Sequence, residues 1–230
     1  LQHSDAVEKD LFIQRNYSSR TLFKGVFGSN WCSTLDLQLN ISINSVSLYS
    51  CELGRYLSYE KINGFQFKNH ERVIQKENYY YTYSINTSDD GYIKTTHENR
   101  VDTTMTYYFD LNGRLSHWSK NQKPVVYIIY KNNRIDQLLI KKAKPVQVWL
   151  TKSGLIQKIG EHISYDYHLG VLKKVSKRNL PIWKYEYDEF LNMTYWQGLG
   201  QFESMKYDNE WDRIIYIKDK QSCRFNFKYE

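Results

Sequence analysis

Apolar and polar residues alternate with a period of two along much of this chain. Trp183, Tyr185 and Tyr187 fall on one side of a segment, and Lys184, Glu186 and Asp188 on the other. That is the spacing of a strand with one buried face. Arg213 to Lys218 and Arg224 to Tyr229 keep the same rhythm. So does Leu35-Asp36-Leu37-Gln38-Leu39-Asn40-Ile41-Ser42-Ile43, where every second residue is apolar. Short polar turns stand between such segments. The clearest lies in Tyr107-Tyr108-Phe109-Asp110-Leu111-Asn112-Gly113-Arg114-Leu115: an aromatic strand end, an Asp-x-Asn-Gly turn, then a new strand. Asn112 and Gly113 tolerate positive φ, and the Asp110 side chain is suited to cap the turn.

The turns recur. Aligned on Asp110, the anchors are Asp90, Asp110, Lys131, Thr151, Asp166, Asp188 and Asp208, separated by 20, 21, 20, 15, 22 and 20 residues. A near-constant step holding two strands and two turns predicts a long antiparallel meander of stacked hairpins. A lone hairpin is marginal, so neighbours must stack to bury a continuous face. The expected fold class is all-β, with the hairpins forming a curved open sheet or partial shell. Residues 1–10 are expected to be a flexible tail. Residues 11–84, less regular but strand-like, form an N-terminal β capping region, and residues 85–230 form the repeat sheet. No Ser/Gly-rich linker divides the last two.

Composition agrees with a sheet. Aromatic residues make up 16% of the chain, which suits strands and excludes a disordered polypeptide. Low Gly and Pro exclude collagen, and 3 Cys in 230 residues exclude a small disulfide scaffold. The longest apolar run, Tyr127-Ile128-Ile129-Tyr130, is far below the roughly 20 residues of a membrane-spanning helix, so no membrane span is expected. Leu1 in place of Met is the expected start of a processed or excised chain. The net charge of +7 permits anionic partners without requiring them. Its two clusters are Lys141, Lys142 and Lys144, and Lys173, Lys174, Lys177 and Arg178. Lysines at strand ends and edges also block edge-to-edge association, and nucleic acid is disfavoured as a partner on that ground.

Reactive chemistry has few candidates. His3, His70, His97, His117, His162 and His168 form no metal-binding spacing, and neither a metal nor a cofactor is expected. Asp89-Asp90-Gly91 reads as a hairpin tip rather than a calcium loop, and Gly198-Leu199-Gly200 as a turn rather than a phosphate loop. No Ser, Cys or Thr stands in a recognisable nucleophile setting, so no catalytic residue is assigned. Cys32, Cys51 and Cys223 have no C-x-x-C spacing. Either all three are buried thiols, or Cys32 and Cys51 bridge adjacent strands in an exported chain and leave Cys223 free.

The segment Tyr108-Phe109-Asp110-Leu111-Asn112-Gly113-Arg114-Leu115 resembles the hallmark of the Rhs/YD-repeat family, a Tyr-Asp turn followed after two residues by Gly-Arg-Leu. Tyr187-Asp188 and Tyr207-Asp208 resemble it more loosely. Lys131 and Thr151 replace the Asp, and Leu191 and Trp211 stand where the family has Gly. Upstream, Arg15-Asn16-Tyr17-Ser18-Ser19 and Gly25-Val26-Phe27-Gly28-Ser29-Asn30-Trp31 look like the segment that opens the repeats. Asn30 replaces the usual Gly, and Asn also tolerates left-handed backbone.

The resemblance covers most of residues 11–230 and makes 11–84 an opening region of Rhs type. It implies a β-shell around a toxin polypeptide, delivered to neighbouring cells in interbacterial competition. The run of repeats is shorter than a closed cocoon requires, so a piece of shell, a shortened remnant or a stand-alone derivative is expected. The residues carried over are Tyr17, Gly25, Phe27, Gly28, Trp31, Tyr108, Asp110, Gly113, Arg114, Leu115, Tyr187, Asp188, Tyr207 and Asp208, all as structural motif residues. The expected function is a non-enzymatic module, secreted or in a bacterial cell envelope, that encloses or docks a protein partner or cargo polypeptide. The alternative is a secreted or surface protein holding a glycan or protein ligand through aromatic and basic residues.

Overall fold

The computed structural model describes residues 1–8, 11–19, 21, 23–42, 45–51, 54–63, 66–69, 82–87, 93–99, 103–110, 112–120, 123–140, 144–208, 213–221 and 223–227. Among them the chain is all β, apart from one 3-10 turn at Thr34–Asp36. The strands form antiparallel sheets in which successive hairpins pair in sequence order, the meander that the alternation predicts. Asp90 lies outside the described residues, as do Lys141 and Lys142.

The chain divides into two compact units. The first comprises Leu1–Val7, Gln14–Ser33 and Val148–Glu230; the second comprises Glu8–Ile13 and Thr34–Gln147. This departs from the expected boundary near residue 84. Most of the opening segment is grouped with the last third of the chain.

In the first unit the meander runs through strands Ile156–Ile159, Ile163–His168, Val171–Lys177, Leu180–Tyr187, Met193–Gly198, Gln201–Tyr207, Ile214–Asp219 and Arg224–Asn226. Along Leu180–Tyr187, Trp183 and Tyr185 are buried while Lys184 and Glu186 are exposed, as a period of two requires. Strands Gln2–Glu8, Leu11–Tyr17 and Trp31–Ser33 form a small separate sheet. The expected tail at residues 1–10 is therefore corrected: Gln2–Glu8 is a strand, and His3, Asp5 and Val7 on one side of it are buried.

In the second unit the meander continues through strands such as Thr103–Phe109, Leu115–Lys120, Lys123–Lys131 and Arg134–Ile140. Leu115, Trp118, Val126, Ile128, Leu138 and Ile140 are buried there. Among the described residues, 35–42 are not the continuous strand that their alternation predicts. Leu37 N–H donates to the Thr34 carbonyl and closes a 3-10 turn, and the strand begins at Leu39, running over Leu39–Ile41.

Two repeat anchors are also displaced. Lys131 ends a strand before a two-residue turn, Asn132-Asn133, with both φ positive at 51° and 60°. Such turns match the right-handed twist of a hairpin. Asp166 lies inside a strand opposite Lys174, and the turn comes three residues later at Leu169-Gly170.

Candidate functional site

The Tyr-Asp turns share one geometry. Asp110 N–H donates to the Arg114 carbonyl, and Gly113 N–H to the Asp110 carbonyl, both at 2.8 Å. The Asp110 carboxylate accepts from the N–H groups of Asn112 and Arg114, each at 2.9 Å. Its other oxygen meets the Arg114 guanidinium at 2.7 Å. Thr151 and Asp188 repeat the backbone pattern with Leu155 and Asn192. Thr151 replaces the carboxylate with a hydroxyl that accepts from Leu155 N–H, and so keeps the cap without its charge. At Asp208 the closing bond reaches Arg213, one residue further on. Asp219 forms a related turn with Cys223, which the sequence alignment had not included.

Gly113 needs to be glycine for two reasons. Its φ is 79°, and a Cβ there would run into the Leu39 carbonyl oxygen, beside the hydrogen bond that Leu39 N–H donates to Gly113 at 2.8 Å.

The tyrosines follow a rule of their own. The Tyr130, Tyr167, Tyr187 and Tyr207 hydroxyls donate to the carbonyls of Leu115, Ile156, Leu172 and Met193 on the preceding strand, at 2.6–3.1 Å. Leu115, Ile156 and Met193 each lie five residues after a turn anchor, Asp110, Thr151 and Asp188. One repeat's tyrosine thus fastens the strand that leaves the previous repeat's turn. Burial disfavours the phenolate, pushing Tyr130 up to about 12 and Tyr187 well above the usual range.

In the first unit the sheet carries a sealed polar cluster. Arg15 Nε and Nη2 donate to the two Asp5 carboxylate oxygens at 2.7 and 2.9 Å, with both side chains at 0% exposure. The Tyr165 hydroxyl adds a bond to Asp5 at 3.0 Å. The Tyr185 hydroxyl is 2.7 Å from His3 Nδ1 and accepts from Arg15 at 3.4 Å. The guanidinium carbon is 5.0–5.9 Å from the ring centroids of Trp31, Phe27, Tyr165 and Tyr185, a cage of π faces around a cation.

Burial alone works against the Arg15 charge, but the Asp5 carboxylate outweighs it and holds the guanidinium above its ordinary range. Burial, followed by the nearby Arg15 charge, lowers His3 to about 3. His3 is therefore neutral at pH 7, stacked on Trp183 with ring centroids 3.8 Å apart. Sequence reasoning missed this cluster, although Arg15 falls on the apolar side of Leu11, Ile13 and Tyr17, which is a signal for it.

The opening motif is fastened to the same sheet. The Tyr17 hydroxyl donates to the Leu191 carbonyl at 2.7 Å and accepts from Met193 N–H at 2.8 Å. Trp31 Nε1 donates to the Tyr187 hydroxyl at 3.0 Å, which in turn donates to the Leu172 carbonyl. Phe27 is fully buried against Tyr165. Gly25 and Gly28 pair across a tight hairpin, and Ser29 N–H donates to Gly170. Asn30 has the left-handed φ of 64° that the position demands of it.

The structure thus brings Tyr17, Gly25, Phe27, Gly28, Trp31, Tyr187, Asp188, Tyr207 and Asp208 into one unit. Tyr108, Asp110, Gly113, Arg114 and Leu115 belong to the other. Cys32 and Cys51 are disulfide-bonded, and Cys223 is free and exposed. The second basic cluster is largely consumed internally: Lys174 pairs with Asp166 at 2.8 Å, Lys177 donates to the Ala6 carbonyl, and Lys173 lies over the Tyr187 ring. No protein-family model matches this chain, and no curated protein matches it.

Proposed function

We propose that this chain is a YD-repeat module of Rhs type whose work is mechanical: its sheet holds an extended polypeptide. The observation that carries the reading is the sealed Asp5–Arg15 pair with Tyr165 and Tyr185. Through it the sheet of residues 148–230 already grips an extended stretch of the chain's own N-terminal region. The grip uses side-chain hydroxyls, aromatic faces and backbone groups, which suit a polypeptide as ligand. In this reading the natural partner is a cargo or docking polypeptide, and the setting is a secreted or envelope-associated bacterial assembly used against neighbouring cells.

A second reading, a glycan or protein-ligand binder, has one observation in its favour. Tyr108, His117 and Tyr127 stack in a row across three strands at 4.1 and 4.8 Å, and Tyr127 is 38% exposed. A ladder of this kind offers faces for a sugar ring.

The experiment that separates the two titrates the intact protein with a reduced, carboxymethylated polypeptide that cannot refold, with a glycan array run in parallel at physiological salt. Saturable polypeptide binding and a silent array are expected. A specific glycan signal lost on Tyr127→Ala, with no polypeptide binding, would replace the first reading by the second.

A further inference from the structure

In the first unit, the sheet face that packs on the N-terminal strand can be followed as far as strand Arg224–Asn226. Directly opposite residues of paired strands point to the same side. Tyr185 pairs with Trp196 and Trp196 with Glu203; Met205, two residues on, pairs with Ile217, and Ile217 with Phe225. The N-terminal strand covers the start of this line, with His3 against Trp183, Tyr185 and Trp196. Cover thins further along. Tyr185 is 1% exposed, Trp196 8% and Met205 9%, Ile217 is half-buried, and Phe225 is 53% exposed. Phe227, on the same side as Phe225, is 41% exposed. The two phenylalanines carry a face already built for an extended strand past the strand that covers it, and adjoining exposed apolar side chains mark an interaction surface.

The backbone at this edge is open as well. Arg224–Asn226 pairs with Ile214–Asp219, and Phe227 N–H continues the ladder by donating to the Ile215 carbonyl at 3.1 Å. Backbone groups alternate in direction along an antiparallel strand. Phe225 and Phe227 therefore turn theirs toward Ile214–Asp219, while Arg224 and Asn226 turn theirs away. Among the described residues no other ladder reaches Arg224–Asn226. An unpaired edge beside an apolar face is the arrangement that accepts an added strand.

The opposite side of the edge carries one sign of charge. Lys218 and Arg224 are direct cross-strand partners there, and neither has an ion-pair partner among the described residues. Like charges placed directly opposite destabilise a sheet. A carboxylate beside Arg224 relieves that repulsion, whereas a second copy of this chain, itself at +7, adds to it.

We propose that the edge at Arg224–Asn226 accepts one further strand from an extended peptide whose residues alternate apolar and acidic, with apolar side chains against Phe225 and Phe227 and carboxylates beside Arg224 and Lys218. The inference rests on the polypeptide-holding reading and names the place and the chemistry of one partner. It is tested by fluorescence anisotropy at physiological salt with a short fluorescein-labelled peptide of alternating valine and glutamate. The controls are a valine–lysine counterpart and a form of the first peptide N-methylated at alternate residues, which removes the N–H groups of its pairing side. Saturable binding of the unmethylated valine–glutamate peptide alone is expected, weakened about tenfold by Arg224→Glu and by Phe225→Ser. Asn226→Pro should abolish it, because it deletes an N–H that faces away from Ile214–Asp219 and leaves the existing ladder intact. All three positions are exposed, and unchanged melting temperatures identify variants that remain folded.

Absence of saturable binding, equal binding of either control peptide, or unchanged affinity in the folded variants would overturn the proposal. So would a dimer of the unaltered protein in sedimentation that Asn226→Pro dissolves, since the edge would then belong to a second copy. The same proteins are also titrated with the unfolded carboxymethylated polypeptide. Saturable polypeptide binding alongside a silent valine–glutamate peptide would remove the edge site and leave the polypeptide-holding reading in place. Failure of the unaltered protein to bind any of these probes would remove both.

Discussion

Replacing Arg15 with Met strands the Asp5 carboxylate. Asp5 would keep only the Tyr165 hydroxyl at 3.0 Å, at a position with 0% exposure. Removing one partner of a buried pair costs roughly 3–5 kcal/mol. That is a large share of the ~5–15 kcal/mol that holds a typical domain folded. Removing both charges together, Asp5→Leu with Arg15→Met, puts apolar side chains among Trp31, Phe27, Tyr165 and Tyr185, with the Tyr165 hydroxyl the group that loses its acceptor. Replacements of this kind are often neutral or stabilising. The double variant should therefore recover at least ~2 kcal/mol relative to Arg15→Met alone. Guanidinium unfolding at pH 7, followed by tryptophan fluorescence, measures each corner of the cycle. If the double variant costs the sum of the two single ones, the pair is uncoupled and cannot be what fastens the N-terminal strand.

Three further outcomes follow from the same geometry. Gly113→Val forces a β-branched residue into φ 79° against the Leu39 carbonyl, and a loss of about 2–4 kcal/mol is expected from strain and the disturbed hydrogen bond; an unchanged melting temperature would refute it. Tyr187→Phe leaves Trp31 Nε1 without its acceptor and should cost ~1–3 kcal/mol in the same unfolding assay, whereas a cost near zero would mean the hydroxyl fastens nothing. His3 is lowered to about 3 when folded, so the unfolded chain binds its proton first as pH falls below the ordinary value of 6.5. Stability should decline between pH 6.5 and 5 by up to about 1.4 kcal/mol per unit, and His3→Phe should flatten that slope; an identical slope in the variant would show that His3 titrates freely.

The strands are legible in the sequence because one-sided burial imposes its period wherever a face is covered. Trp183 and Tyr185 against Lys184 and Glu186 state it without help from the rest of the chain. The Asp110 turn is legible for a similar reason, since its cap, its glycine and its closing arginine are all local. The choice of anchors misled where it left the turn residues: Lys131 and Asp166, the latter only 15 residues after Thr151, are aligned with Asp110, but Asn132-Asn133 and Leu169-Gly170 supply the positive φ angles, and the chain turns there.

The N-terminal strand was not legible. Gln2-His3-Ser4-Asp5 is too polar to suggest a core, and its burial depends on Tyr185 and Tyr165, 182 and 160 residues away. A polar group enters a core only with its partner, and no local pattern names a partner at that separation.

The central claim is that the sheet of the first unit holds an extended polypeptide as part of its own structure. Amide hydrogen exchange on the intact chain tests it most directly. Residues 2–7 and 15–17 should exchange together with strands Ile163–His168 and Leu180–Tyr187, with a common opening free energy, because Asp5, Arg15 and Tyr17 are fastened to those strands and to the Leu191–Met193 turn beyond them. Exchange of residues 2–7 at the rate of a free chain, while those two strands stay protected, would contradict the account.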